Sequence, residues 1–308
     1  MKTIISMATI PSRKARLKEN LPSIINQSYP FDTLILNILD NLSDDDYAFY
    51  EDLKSMDNRI ILNKVEQKWR SCNKLLPALK LYPDDIIITI DDDIYYPKDS
   101  FLTLMQQWMD TPDCIIAHEI NPILLLKNNT YITYLNGFDI KLMQKEWGKY
   151  LSCCTLFPPH VFDNTEVFNY DKMMEVTQGV HDELWFWINS TLNGVMCVGL
   201  NYVKTFMPEM LTPWTEGEEK LADINGSTEK VAEYMDKIND IYGEKLLSVI
   251  LSKKAEFTIT KDNVYSFLYT LPWIKLIYSN QFKLIPQGLT KGWIEMIKDV
   301  LSGKKVKY

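Results

Sequence analysis

Three consecutive carboxylates, Asp91-Asp92-Asp93, follow directly on the apolar run Asp85-Ile86-Ile87-Ile88-Thr89-Ile90. Such a run fits a strand buried on both faces, and ligands of open α/β sheets sit beyond the carboxyl ends of strands. Three acids crowded there are unfavourable unless a cation neutralises them. A hard divalent ion, Mn²⁺ or Mg²⁺, suits carboxylate oxygens and completes its shell with phosphate oxygens, so the triplet points to a metal and a phosphorylated substrate. The competing reading is an acidic turn or helix cap, and the strand in front of the triplet weighs against it. His118, His160 and His181 are further candidates for the metal shell, each equally suited to a plain polar or core role.

The elements that must present these residues alternate between strand and helix patterns, the signature of a mostly parallel sheet covered by helices. Strands are expected at Thr3 to Thr9, Thr33 to Leu39, Arg59 to Asn63, Asp85 to Ile90, Cys114 to Ala117 and Val195 to Gly199. Helical spacing of Leu17, Leu21, Ile24 and Ile25 follows the first strand. Ser43 before Asp44-Asp45-Asp46 reads as an N-cap with acids suited to the helix dipole. Cys72 to Leu81 reads as a helix that Pro77 shortens or bends. Helices are also expected over Phe101 to Met109, Asp182 to Leu192 and about Thr228 to Ser252. Asn128-Asn129-Thr130 reads as a hairpin tip, Tyr150 to Pro159 as irregular, and 216–226 as a linker.

Composition narrows the function. The chain has 308 residues, 46% hydrophobic and 24% charged, the profile of a globular protein with a full core. A net charge of −8 argues against a broad nucleic-acid footprint. The balance is uneven, because residues 271–308 carry seven lysines against Glu295 and Asp299. Those lysines lie among Trp273, Tyr278, Phe282 and Trp293, a composition suited to an anionic lipid surface or to a packed helix with a solvated basic face. Five cysteines without C-x-x-C spacing indicate neither a disulfide framework nor a zinc knuckle, and no export signal is read at the N-terminus. The expected location is cytoplasmic, with peripheral contact on the inner face of the cell membrane through the tail.

Ile88-Thr89-Ile90-Asp91-Asp92-Asp93-Ile94-Tyr95-Tyr96-Pro97 resembles the D-x-D strand end of GT-A fold glycosyltransferases grouped around glycosyltransferase family 2. Met7-Ala8-Thr9-Ile10-Pro11-Ser12-Arg13 and Leu21-Pro22-Ser23-Ile24-Ile25-Asn26-Gln27-Ser28 resemble the opening strand and helix of bacterial surface-polysaccharide members. Asn73-Lys74-Leu75-Leu76-Pro77-Ala78-Leu79 resembles the helix before the D-x-D strand, and His181-Asp182-Glu183-Leu184-Trp185 resembles the acidic motif that supplies the catalytic base of inverting members. The four motifs span roughly residues 1 to 200 in the expected order. The resemblance implies an α/β fold of the GT-A, Rossmann-like type, with a mostly parallel central sheet flanked by helices. It implies a glycosyltransferase domain over 1–215, divided into a nucleotide-sugar-binding half (1–118) and an acceptor-binding half (119–215). Residues 216–308 form a C-terminal helical region with the basic aromatic tail.

The same resemblance implies a metal-dependent, inverting transfer from a nucleotide sugar, a UDP-sugar by preference, to a glycan or lipid-linked acceptor in bacterial polysaccharide assembly. Asp91 and Asp93 are the implied ligands of Mn²⁺ or Mg²⁺, with Asp92 turned to the donor sugar or ribose. Thr9, Arg13, Asp40, Arg70 and Lys74 are the implied donor contacts. Asp182 is the implied general base and Glu183 the alternative; His181 stands where the family has an acid. His160 and Trp185 are expected on the acceptor side, Trp185 as a stacking face. Two other functions compete. A sugar nucleotidyltransferase would carry a Gly-rich loop after the first strand, and Ala8 to Arg13 holds no glycine. A carbohydrate-binding protein on the same fold would keep the geometry without turnover.

Overall fold

The computed structural model describes residues 1–118, 120–125, 131–133, 145, 147–150, 153–200, 209–210, 228–252, 258–259 and 306–307. The hairpin tip, the 216–226 linker and nearly all of the 271–308 tail lie outside the described residues.

The core is a seven-stranded sheet between helices. In chain order its strands are β1 (Thr3–Ala8), β2 (Thr33–Leu39), β3 (Ile60–Val65), β4 (Ile86–Thr89), β6 (Ile115–Ala117), β10 (Thr155–Phe157) and β11 (Cys197–Gly199). Across the sheet they run β11-β6-β10-β4-β1-β2-β3. β10 is antiparallel to both β4 and β6, and every other pairing is parallel. The α/β architecture expected from the sequence is therefore present.

The helices are α1 (Lys14–Ile25), α2 (Asp44–Ser55), α3 (Leu76–Leu81), α4 (Ser100–Asp110), α5 (Tyr170–Thr177), α6 (Asp182–Leu192) and α7 (Thr228–Ser252). Short strands β5 (Ile94–Tyr95) and β12 (Glu209–Met210) pair with each other. β7 (Ile120–Leu125) lies between β8 (Tyr131–Thr133) and β9 (Gly148–Tyr150). β13 (Thr258–Ile259) pairs with β14 (Val306–Lys307).

Local chemistry explains these boundaries. Ser43 caps α2, its hydroxyl accepting from Asp46 N at 3.2 Å, as its position before three acids suggests. Pro77 does not bend the helix expected over Cys72 to Leu81. A 3₁₀ segment covers Gln67–Lys74 and Pro77 opens α3, where its missing N–H costs nothing. β4 is buried at every residue, so its apolar run follows from having β1 on one side and β10 on the other. In α7, Tyr234, Ile238, Tyr242, Leu246 and Ile250 recur at helical spacing and are all buried. Tyr242 also donates to Glu166 Oε2 at 2.7 Å, tying α7 to the segment before α5.

The segment Tyr150 to Pro159, expected to be irregular, contains β10. Three residues are too short to show periodicity, and both neighbours of β10 bury it.

Candidate active site

The carboxyl ends of β1, β2, β4 and β6 share one edge of the sheet. β10, running the other way, brings its amino end there too. Thr9, Asp40, Asp91 and His118 follow the four parallel strands, and Cys153-Cys154 precedes β10.

The carboxylate triplet has side-chain counter-charges within the protein. Arg13 Nη1 lies 2.9 Å from Asp92 Oδ1 and 3.2 Å from Asp93 Oδ2. Lys74 Nζ lies 2.6 Å from Asp91 Oδ1 and 3.7 Å from Asp182 Oδ2. Lys149 Nζ lies 3.4 Å from Glu183 Oε2. Burial opposes the charge on Arg13 and on Lys74, but the facing carboxylates outweigh it and raise both above their ordinary values. The repulsion that called for a divalent ion is thus met in part by these cations. Among the described side chains in these pairs, five carboxyl groups face three cations.

Asp92 is only 2% exposed. Burial pushes its carboxyl up to about 6, against the lowering pull of Arg13. It therefore anchors Arg13 beneath the site, and the expectation that it reaches donor sugar or ribose is corrected. Its Oδ2, Thr9 Oγ1 and Tyr50 Oη are buried and make no well-aligned hydrogen bond among the described residues, though Thr9 lies close enough to pull both Asp92 and Tyr50 downward against burial. Thr9 is thus enclosed, and its side chain does not face a nucleotide; its exposed neighbour Ile10 does reach the surface of this edge. Asp40 is exposed at the end of β2, its backbone N–H donating to Val65 O at 3.1 Å. Arg70 is exposed with φ at +48°, a backbone conformation disfavoured for a residue with a Cβ.

The acids of α6 reach the same cluster through a tight turn. α5 ends at Gln178 and Gly179, with φ of +54° and +67°. The positive φ at Gly179 is one that residues with a Cβ rarely adopt, so this reversal favours glycine. Asp182 and Glu183 then occupy the first turn of α6, where the helix dipole favours their charge. Asp182 lies 3.7 Å from Lys74, which itself pairs with Asp91, whereas Glu183 faces Lys149 and is raised chiefly by burial, with smaller contributions from Asp182 and Asp91. The two acids named from sequence are adjacent to the triplet, and Asp182 is the one linked to it.

Two acceptor-side expectations fail. Trp185 is fully buried, and its indole N–H donates to Val167 O at 2.9 Å, so no sugar can stack on it. His160 lies 3.4 Å from Asp84, before β4, at the opposite edge of the sheet from Asp91. Seven residues of extended chain separate Asp84 from Asp91, about 20 Å. Of the other histidines, His118 Nδ1 is 3.7 Å from Cys153 Sγ, and His181 stacks edge-on to Tyr234 of α7.

Donor chemistry decides whether a divalent ion fits. No group of three or more His, Cys, Asp or Glu side chains among the described residues is arranged to hold a metal. Asp91 and Asp93 are close enough for Asp91 to raise Asp93, after the larger effect of burial. Two hard carboxylates suit Mg²⁺ or Mn²⁺ when diphosphate oxygens and waters supply the other ligands. In that limited sense the residues fit.

Comparison with known proteins agrees with this geometry. Residues 9–155, from the end of β1 to the first residue of β10, match the family model Glycosyl transferase family 2. This match and the GT-A type of fold support transferase activity. Among solved structures, the chain is similar to Staphylococcus aureus TarS 1-349 in complex with UDP, at 13% identity and TM-score 0.50, covering 82% of this chain and 71% of that one. It is likewise similar to TarS 1-349 in complex with UDP-GlcNAc, at 11% identity and TM-score 0.50, covering 81% of this chain and 80% of that one. At such identities these two share the fold with this chain. No curated protein matches it by sequence.

The buried imidazoles give the site a measurable pH signature. Burial holds His118 down to about 4 from an ordinary value of 6.5. Between these values the unfolded state binds more protons, so stability falls as pH drops below about 6.5. Asp92 acts oppositely: raised to about 6, it stabilises the fold below about 4, and that contribution is lost as pH rises through 6. In urea titrations between pH 7 and 4.5, His118→Asn should reduce the acid loss of stability by about 2–3 kcal/mol. Parallel pH curves for the two proteins would contradict it.

Proposed function

We propose that the protein transfers a sugar from a nucleotide-sugar donor, a UDP-sugar by preference, to a hydroxyl of a glycan or lipid-linked acceptor, with inversion. The observation that carries this is Lys74, whose Nζ touches Asp91 and reaches Asp182. One lysine thereby links the end of β4, where a donor diphosphate belongs, to an acid able to act as base. The family match, and the UDP and UDP-GlcNAc in the TarS complexes, support a nucleotide-sugar donor. Surface-polysaccharide assembly remains part of the reading through the sequence motifs.

In this mechanism the donor lies along the shared strand edge, with its diphosphate near Asp91, Asp93, Arg13 and Lys74. Mn²⁺ or Mg²⁺ held by Asp91 and Asp93, when bound, stabilises charge developing on the leaving diphosphate. Arg13 and Lys74 supply the same kind of stabilisation from the protein, as fixed cations needing no reorganisation. Arg70 and Asp40 extend the donor contacts outward. Asp182 accepts the acceptor hydroxyl's proton as the oxygen attacks the anomeric carbon; the C–O bond to the nucleoside diphosphate breaks as the new one forms. A single displacement of this kind inverts the centre. Asp182, joined through Lys74 to the end of β4, is the base in this reading, and Glu183 beside Lys149 is the alternative.

Incubation with a panel of nucleotide sugars and Mn²⁺ should release nucleotide from one of them. Asp182→Asn should lower the rate at least about 100-fold while leaving UDP binding intact. Asp93→Ala should weaken UDP binding itself. Absence of both transfer and nucleotide binding would overturn the reading, and unchanged behaviour of Asp182→Asn would favour a carbohydrate-binding protein.

The basic aromatic segment 271–308 is, in the same reading, a peripheral anchor on anionic lipid, suited to a lipid-linked acceptor. No helix among the described residues is long and apolar enough to cross a membrane. The full chain should sediment with anionic vesicles more than a chain lacking 271–308; equal sedimentation would reject the anchor.

A further inference from the structure

Two polar residues of α1, Asn20 and Ser23, and Gln27 just beyond its end turn toward the chain that leaves β4. Asn20 and Ser23 are three apart and share one helix face. Asn20 is fully buried. Burying an amide is costly unless its hydrogen bonds are made, and each of these side chains makes its bonds to the segment from Asp91 to Phe101.

Asn20 Nδ2 donates to Asp91 O at 3.1 Å. Ser23 Oγ accepts from Tyr96 N at 3.3 Å and lies 2.8 Å from Asn20 Oδ1, which fixes the orientation of the Asn20 amide. Gln27 Nε2 lies 3.1 Å from Tyr96 O and 2.9 Å from Pro97 O, and Gln27 Oε1 accepts from Phe101 N at 3.1 Å. The segment also closes on itself, with the fully buried Tyr96 accepting from Asp91 N at 2.8 Å through its hydroxyl. The backbone of Asp91 is therefore held on both sides of its Cα, its N–H donating to Tyr96 and its C=O accepting from Asn20 and, at 3.5 Å, from the Tyr96 hydroxyl. None of these bonds belongs to the sheet ladder, because β4 ends at Thr89.

We propose that Asn20 and Tyr96 are positioning residues of the donor site, holding the Asp91 backbone so that the Asp91 and Asp93 carboxylates meet a nucleoside diphosphate at a fixed angle. The proposal rests on the donor reading above and adds to it the residues that set its geometry. The Asp triplet leaves the end of a strand, where a chain otherwise has freedom to turn. The polar face of α1 removes that freedom, and the carboxylates then need no reordering when the diphosphate arrives. Neither residue touches the donor; both act through Asp91.

The test compares two losses of one tyrosine hydroxyl. Tyr96→Phe removes the acceptor of Asp91 N–H, and Tyr242→Phe removes the bond to Glu166 on α7, away from the segment. Each is measured for thermal midpoint, for UDP affinity by calorimetry with Mn²⁺, and for donor KM and kcat. Tyr96→Phe should weaken UDP binding about fivefold and raise KM more than it lowers kcat, as loss of one hydrogen bond in the donor site predicts. Tyr242→Phe should lower the thermal midpoint by a similar amount with UDP affinity unchanged. Asn20→Leu, which keeps the number of side-chain heavy atoms and removes the donor to Asp91 O, should repeat the Tyr96→Phe result. Wild-type UDP affinity in Tyr96→Phe, or equal weakening in Tyr96→Phe and Tyr242→Phe, would overturn the proposal. A wild-type protein that binds no nucleotide at all would remove the donor reading and this proposal with it.

Discussion

The site depends on charge compensation at the end of β4. Asp91, Asp92 and Asp93 can be adjacent and largely buried because Arg13 and Lys74 bring cations to them from the end of β1 and the 3₁₀ segment before α3. Removing one partner of a buried pair costs about 3–5 kcal/mol, since the other charge is left uncompensated. The arrangement is therefore costly to alter one residue at a time. It also joins the two halves of the site, because Lys74 reaches Asp182 on α6 as well as Asp91.

The scaffold follows from this requirement. Parallel strands β1, β2, β4 and β6 end at one edge, and the single antiparallel strand β10 closes the centre of the sheet beside β4. β4 thus has hydrogen-bonded neighbours along both edges, its side chains are all buried, and the chain leaving it emerges in a fixed place. The polar face of α1 then grips that chain, and the glycine-favouring reversal after α5 aims Asp182 toward it. Among the described side chains in these pairs, five carboxyl groups face three cations, and a divalent ion accompanying a diphosphate would add to that compensation.

Much of the fold was legible because local signals agreed with tertiary context. The apolar run before Asp91, the Ser43 cap and the spacing of the last long helix each lie where the sequence places them. β10 was not legible, since a three-residue strand has no periodicity and owes its existence to its neighbours. In the site, the clustering of Asp91–Asp93 with Arg13, Lys74 and Asp182 could be expected from their order after the strands. That Asp92 and Thr9 turn inward, that Trp185 belongs to the core and that His160 lies at the far edge depend on side-chain direction and strand polarity, which no local pattern reveals. The role of α1 had one available signal: Asn20 stands among the apolar Leu17, Leu21 and Ile24, and a polar residue there needs partners.

The central claim is that side-chain cations hold the carboxylates at rest and that a divalent ion joins only with the diphosphate. Titrating Mn²⁺ into the protein and following its electron paramagnetic resonance signal, with and without UDP, tests this directly. Mn²⁺ should bind weakly alone and at least about tenfold more tightly with UDP, whose oxygens complete the coordination shell. Equal Mn²⁺ affinity in the two titrations, or no binding in either, would contradict the account.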